Sequence, residues 1–123
     1  MNCHVAVVIL SLAAGLAFGA ELSASSRTEI DGLLSALGSS GCAFYRNGEW
    51  YDATKAQQHL KAKYDYLLRK GKLRSADEFI AAAATSSSLS GEAYQVRCPH
   101  EEVRSSAAWL TEKLRAIRTS KNP

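Results

Sequence analysis

This 123-residue chain lacks a strong excess of charge of either sign and lacks most of the short motifs that mark catalytic sites. Its 15 Lys and Arg stand against 12 Asp and Glu, and a net charge of +3 is too small to be typical of a nucleic-acid-binding protein. No HExxH, phosphate-loop, dinucleotide or EF-hand pattern is present. The length excludes a two-domain enzyme or a TIM barrel. We therefore expect one small domain with no nucleic-acid partner, no metal site and no cofactor.

Charged residues are absent from the first 19 positions, where most residues are apolar. The uncharged run Val5–Phe18 is shorter than the roughly 20 residues that a spanning helix needs. The tripeptide Ala17-Phe18-Gly19 at the end of this run suits cleavage before Ala20. We predict a signal peptide at residues 1–19, an exported periplasmic protein and no stable membrane insertion after cleavage. An uncleaved membrane anchor is the alternative.

Cysteine is scarce, and removal of the signal peptide would leave only Cys42 and Cys98. Two remaining cysteines in an oxidising compartment usually pair, so we predict a Cys42–Cys98 disulfide. Closing a loop of about 55 residues would contribute roughly 4 kcal/mol in the chain-entropy model. A metal site or a catalytic thiol at Cys98, beside His100, is the competing interpretation, but no C-x-x-C spacing favours it.

Apolar spacing and turn residues divide the rest of the chain into helices and short strands. Capping boxes at Ser26 and Ser75 and an N-cap at Asp52 mark three helix starts, and Ser105 or Ser106 marks a fourth. The first predicted helix ends before Gly38, the second covers residues 53–70, the third continues to Ala84, and the last carries Trp109, Leu110, Leu114 and Ile117 on one face. The predicted strands cover residues 42–46, 49–51 and 93–97. We expect a single domain at residues 20–118 and a disordered tail at 119–123.

The strands should form one small antiparallel sheet. Asn47-Gly48 predicts a type I′ hairpin between the first two strands, because both central positions need positive φ. A disulfide from the start of the first strand to the end of the third makes those two strands antiparallel neighbours. The predicted fold is therefore α+β, with a three-stranded sheet ordered second, first, third, about four helices on one face and one disulfide.

Three polar clusters could carry chemistry. Arg46 adjoins the hairpin tip, while His59 and Lys63 lie one helical turn apart and could together hold an anion. The structural alternative is that His59 lies at the edge of the core and that the aliphatic part of Lys63 covers apolar surface. The Ser-rich loop at residues 86–91 could form an anion nest or supply a nucleophile, although turn formation is the usual role of such a segment.

The ordered series of motifs resembles the YfeK-like family of small bacterial exported proteins. The similarity covers residues 30–114 and includes Gly41-Cys42-Ala43-Phe44-Tyr45-Arg46-Asn47-Gly48, His59-Leu60-x-x-Lys63-Tyr64 and Ser86-Ser87-Ser88-x-Ser90-Gly91-x-x-Tyr94-x-Val96-Arg97-Cys98-Pro99. The resemblance implies a periplasmic domain without an assigned activity. It places the candidate ligand-binding residues in motif positions: Arg46, His59, Lys63, Ser88, Ser90, Tyr94 and Arg97.

The expected function is non-enzymatic binding of an envelope protein or a small anionic ligand, by a domain that we expect to be monomeric. The alternatives are a small hydrolase that uses a loop Ser with His59, and a purely structural envelope protein. The hydrolase requires a loop Ser Oγ within about 2.6–3.2 Å of the His59 ring.

Overall fold

The computed structural model describes residues 21–121; the predicted signal peptide and residues 122–123 lie outside that part. The elements are α1 (Ala24–Gly38), β1 (Ala43–Arg46), β2 (Glu49–Tyr51), α2 (Ala53–Arg69), α3 (Ala76–Ala83), β3 (Gln95–Arg97), β4 (Arg104–Ser105) and α4 (Ser106–Lys121). Helices and one antiparallel sheet confirm the predicted α+β class. Within residues 21–121, no helix is both long enough and apolar enough to cross a membrane.

The sheet has the order β2-β1-β3-β4, and every neighbouring pair is antiparallel. The predicted order of the first three strands is confirmed, and the sheet gains a fourth strand that the sequence analysis did not predict. β4 has two residues, of which Arg104 is half-buried and Ser105 is exposed. A polar strand of this length has no hydrophobic alternation by which to detect it.

Local turn chemistry explains the hairpin and two of the helix starts. Asn47 and Gly48 have φ values of 49° and 86°, as a type I′ turn requires. The Asp52 carboxylate accepts a hydrogen bond from the Lys55 amide, and the Ser75 hydroxyl accepts one from Glu78. These caps confirm the predicted beginnings of α2 and α3.

The start of α1 and the end of α4 differ from the predicted bounds. α1 begins at Ala24, because Ser23 rather than Ser26 acts as the N-cap and accepts a hydrogen bond from the Ser26 amide. α4 continues to Lys121, past the predicted start of the tail at residue 119. In this last turn Thr119 donates to the Arg115 carbonyl and Ser120 to that of Ile117.

A three-helix ion pair explains why the end of α4 is ordered. Arg118 donates to both carboxylate oxygens of Glu29 in α1, at 2.8 and 3.2 Å, and to Asp77 in α3 at 2.8 Å. Glu29 is buried, and its hydrogen bond with Arg118 lowers the pKa of its carboxyl group. Glu29 therefore joins helices instead of completing the capping box that its position in the sequence suggested.

The core lies between the helices and one face of the sheet. Its largest fully buried side chains come from three helices, the segment between α2 and α3, and one strand: Ile30, Leu33, Leu37, Leu73, Phe79, Val96, Leu110 and Leu114. Phe44 of β1 packs edge-on against Trp109 of α4, with ring centroids 5.7 Å apart. The helices therefore cover the face of the sheet that carries Phe44 and Val96.

The predicted disulfide is confirmed. Cys42 and Cys98 flank the β1–β3 pairing, in which Ala43 lies opposite Arg97, and their sulfurs are bonded. We expect thiol titration of the denatured, non-reduced, exported protein to find no free thiol. The double variant C42A/C98A should lose about 4 kcal/mol of unfolding free energy in urea titrations, because the cross-link restricts the unfolded chain. Free thiol near two equivalents per chain would contradict the pairing.

The Arg118 ion pair predicts a stability effect. Arg118→Gln should lower the free energy of unfolding by about 1–2 kcal/mol, because the buried Glu29 carboxylate loses its charged donors while part of the effect is screened by solvent. The matched control is Arg115→Gln, an exposed position on the same helix. Equal urea midpoints for the two variants would show that the three-helix contact contributes nothing.

Candidate functional site

The β1–β3 register selects which polar side chains face the helices. Phe44 is paired with Val96, and both are buried. Side chains alternate along a strand, so Arg46, two residues after Phe44, and Tyr94, two residues before Val96, lie on this same face. The two residues come from separate regions of the sequence and meet because the strands are antiparallel.

Helix α2 supplies the facing side chains. His59 and Lys63 lie four residues apart and therefore share one side of the helix. His59 Nε2 is 3.1 Å from the Tyr94 hydroxyl, and Lys63 Nζ donates to the same hydroxyl at 3.2 Å. Lys63 Nζ also donates to the Ser86 carbonyl at 3.4 Å and lies 5.1 Å from the centroid of the Tyr94 ring. We call Arg46, His59, Lys63 and Tyr94 the Tyr94 cluster.

Burial and positive charge determine the protonation states in the Tyr94 cluster. Burial, reinforced by the charges of Arg46 and Lys63, lowers the pKa of His59 from 6.5 to about 4, so its ring is neutral near pH 7. Burial and the charge of Arg46 also lower the pKa of Lys63. Burial raises the pKa of Tyr94, against the opposing effect of Arg46, so its hydroxyl remains protonated. Tyr94 can thus donate to the neutral His59 ring while it accepts from Lys63.

A cavity of about 390 Å³ opens beside the Tyr94 cluster. Its lining residues come from α1, β1, β2, α2 and α4 and from the ends of the loop between α3 and β3: Leu37, Phe44, Tyr45, Arg46, Tyr51, Lys55, Ala56, Gln58, His59, Leu60, Ala84, Tyr94, Ser106 and Leu110. Basic side chains line this cavity, whereas no Asp or Glu of residues 21–121 does. Its volume falls at the lower end of the roughly 300–1,000 Å³ typical of small-molecule sites.

Arg46 is the least satisfied cation at the cavity. Its Nε atom is buried and has no hydrogen-bond partner among residues 21–121, and no carboxylate in this part of the chain forms an ion pair with it. A buried donor without a partner loses free energy, and the loss is larger when the group is charged. The cavity wall therefore carries a guanidinium group that an anion could satisfy.

The structure divides the predicted site residues into three locations. Arg46, His59, Lys63 and Tyr94 come together, although Lys63 lies behind Tyr94 and does not line the cavity itself. Arg97 lies on the opposite face of the sheet, where its guanidinium carbon is 4.3 Å from the centroid of the Trp50 ring. The period of two along β3 explains this separation, because Arg97 follows Val96 directly.

Ser88 and Ser90 form the third location and are exposed on the loop between α3 and β3. Ser90 Oγ donates to the Asn47 side chain at the hairpin tip, at 2.6 Å. The loop amides of residues 87, 89, 90, 91 and 92 already donate to acceptors within the loop. Those amides are consequently not free to form the predicted anion nest.

The arrangement needed for a serine hydrolase is not formed in residues 21–121. The hydrogen-bond partner of His59 there is Tyr94, not a loop serine. Ser87, the buried serine of the loop, uses its oxygen to accept from the Leu89 and Ser90 amides. The same part of the chain contains no cluster of three or more His, Cys, Asp or Glu side chains that could hold a metal ion.

Sequence reasoning missed several lining residues that tertiary packing brings to the cavity. The sequence could have identified Lys55, because it precedes His59 by four residues and so lies on the same side of α2 as His59 and Lys63. Ser106 gave no such signal. It is buried in the first turn of α4, where its amide donates to the Tyr94 carbonyl at 3.0 Å.

The lowered pKa of His59 predicts a pH dependence of stability. The unfolded chain protonates this ring near pH 6.5, whereas the folded protein keeps it neutral to about pH 4. The unfolded state therefore binds more protons in this interval, so the free energy of unfolding should fall as the pH drops from about 6.5 to about 4. His59→Gln should make the fall shallower in urea titrations at pH 7, 6 and 5. The control is His100→Asn, an exposed loop position whose φ of 62° suits asparagine. Equal slopes for wild type and His59→Gln would contradict the assignment.

Comparison with known proteins identifies a family but no function. No curated protein and no solved structure matches this chain significantly. A family model described as a family of unknown function (DUF5329) matches residues 24–118, which include the whole sheet, all of the Tyr94 cluster and every helix except the last three residues of α4. The chain therefore belongs to this family of unknown function.

Proposed function

We propose that this protein is an exported, non-enzymatic binding domain that holds a small organic anion in the cavity beside the Tyr94 cluster. The observation that carries the proposal is Arg46, a guanidinium group on the wall of a cavity that no carboxylate lines. A ligand anion would provide a charged acceptor for this group, whose Nε atom has no partner among residues 21–121. Hydrogen bonds between ionised partners are roughly twice as strong as neutral ones.

The other members of the site have complementary roles in this proposal. His59 and Tyr94 line the cavity and offer polar atoms beside Arg46, and Lys55 adds a second positive charge. Lys63 acts through Tyr94, since it fixes the hydroxyl by a 3.2 Å hydrogen bond and adds positive charge behind it. Lys63 is thus a positioning residue, and the ligand contacts are assigned to Arg46, His59 and Tyr94.

The proposed compartment is the bacterial periplasm. Support comes from the Cys42–Cys98 disulfide, a bond that persists mainly in oxidising compartments. The apolar run Val5–Phe18 and the small residues after it have the composition of a signal peptide. The resemblance to YfeK-like proteins agrees with this location. We accordingly assign residues 1–19 to a signal peptide and residues 20–118 to one binding domain.

The position of the polar groups favours binding of a small ligand over docking of an envelope protein. Arg46, His59 and Tyr94 line a concave cavity, and Tyr94 is buried. Protein interfaces of standard size bury about 800 Å² on each partner, which requires broad exposed surface instead of a small recess. A purely structural envelope protein would have no need for an unpaired guanidinium in such a recess.

Chemical-shift titration of the exported, disulfide-bonded protein with acetate, succinate, sulfate and octanoate tests this proposal. At least one anion should shift amide resonances of residues 55–63 and 94–96. Arg46→Gln should weaken that binding at least tenfold, because a hydrogen bond to a charged group contributes about 1.5–3 kcal/mol. The matched control is Lys61→Gln, since Lys61 is exposed on α2 and pairs with Asp65.

Thermal melts of the same variants separate binding from folding. Arg46→Gln should melt at or above the wild-type temperature, because it removes a partly desolvated charge that has no partner. A variant that unfolds would assign Arg46 a structural role. Absence of binding by all four anions, or equal affinity in Arg46→Gln and Lys61→Gln, would refute the proposed function.

A further inference from the structure

The cavity beside the Tyr94 cluster has two chemically different sides. Basic and hydroxyl groups lie on one side, contributed by Arg46, His59 and Tyr94. The remaining lining includes buried members of the hydrophobic core: Leu37, Phe44, Leu60, Ala84 and Leu110. These core side chains come from three helical elements, a strand and the end of α3, so the apolar side is part of the folded core.

This apolar side argues against a compact, fully hydrated anion as the ligand. The leucine and phenylalanine side chains of this side are already largely shielded from water, and inorganic phosphate or sulfate would pair with Arg46 without filling the apolar part of the cavity. An alkyl or aryl group placed there would instead remove its own apolar surface from water, which is favourable by about 25 cal/mol per Å². A ligand with a charged end and an apolar body therefore matches both sides of the cavity.

The charged groups at the cavity also limit the net charge of the ligand. Arg46 is the permanently charged group with a buried, unpartnered donor, whereas Lys63 already donates to Tyr94 and to the Ser86 carbonyl. A single anionic group of carboxylate shape fits the planar fork of one guanidinium. Lys55 also lines the cavity but is exposed, so a second negative charge placed among the buried leucine side chains would be desolvated at a large cost.

We propose that the ligand is an amphipathic organic monocarboxylate, whose carboxylate pairs with Arg46 and whose alkyl or aryl body lies among Leu37, Leu60 and Leu110. The inference rests on the proposed anion-binding function and specifies its ligand class. A cavity of about 390 Å³ suits a body the size of a medium-length alkyl chain or one aromatic ring, and would exclude long-chain lipids from full enclosure.

A homologous series tests the ligand class. Butanoate, hexanoate and octanoate are titrated into the disulfide-bonded protein at one pH and ionic strength, with 1-octanol and inorganic phosphate as probes that lack either the charge or the apolar body. Affinity should rise with each added methylene group by up to about fourfold, the transfer factor for one buried CH₂. Octanoate should bind at least tenfold more tightly than either 1-octanol or phosphate.

A cavity-filling variant gives an independent measurement. Ala56 lines the cavity from α2, so Ala56→Leu should weaken octanoate binding at least tenfold and leave butanoate within about twofold. Ala62→Leu, at an exposed position of the same helix, is the matched control and should change neither affinity. If Ala56→Leu does not fold, the wild-type series decides the question alone.

The outcomes separate this inference from the function on which it rests. Equal affinity along the series, or phosphate binding as tightly as octanoate, would overturn the amphipathic ligand while leaving the anion site intact. Tight binding of 1-octanol that Arg46→Gln does not affect would overturn the carboxylate–Arg46 contact. Failure of every anion to bind would overturn both proposals.

Discussion

The pairing of β1 with β3 is the constraint on which the rest of the structure depends. The Cys42–Cys98 disulfide lies at one end of this pairing and fixes Ala43 opposite Arg97. Because side chains alternate along both strands, that register directs Arg46 and Tyr94 toward the helices together with the core residues Phe44 and Val96. A shift of one residue in this register would turn the side chain of Arg46 or of Tyr94 to the outer face of the sheet. The cross-link therefore preserves the site as well as the stability of the domain.

The Tyr94 cluster concentrates positive charge where no carboxylate of residues 21–121 forms an ion pair with it. Two features of the fold make this arrangement tolerable. Burial keeps His59 neutral, which removes one of three potential charges, and Lys63 directs its donors to the Tyr94 hydroxyl and the Ser86 carbonyl. The guanidinium of Arg46 forms no ion pair with a carboxylate of residues 21–121, and its Nε atom has no acceptor there. An anion in the cavity would supply the missing negative charge.

Local signals in the sequence were sufficient for most of the fold. The Asn47-Gly48 hairpin, the caps at Asp52 and Ser75 and the order of three strands each depend on residues close together in the chain or on one cross-link. The start of α1 was misplaced because two serines compete for the N-cap, and the choice of Ser23 leaves Glu29 free to pair with Arg118. That pair joins residues 89 positions apart, a distance over which periodicity carries no information.

The candidate site was only partly predictable, because spacing along the chain does not show which distant residues meet in the fold. The four-residue spacing placed His59 and Lys63 on one side of α2, and extending that spacing would have added Lys55. The family resemblance placed Tyr94 and Arg97 in one motif without distinguishing their opposite faces. The apolar wall could not be inferred, because Leu37, Leu60 and Leu110 have the spacing of ordinary core residues in their own helices. The space between these leucines arises from the way in which the three helices pack, which the sequence pattern does not show.

Comparison of the arginines in the described residues shows what distinguishes Arg46. Arg118 pairs with Glu29 and Asp77, Arg104 pairs with Glu112, and Arg97 stacks on the Trp50 ring. These arginines have protein partners of their own, so a ligand would have to displace an existing contact. Arg46 instead combines a buried, unpartnered Nε atom with a position on a cavity wall, beside the Tyr94 hydroxyl. A binding site is expected where a buried polar group lacks a partner in an otherwise consistent fold. In this domain that group is Arg46, and it lies on the wall of a cavity that core side chains also line.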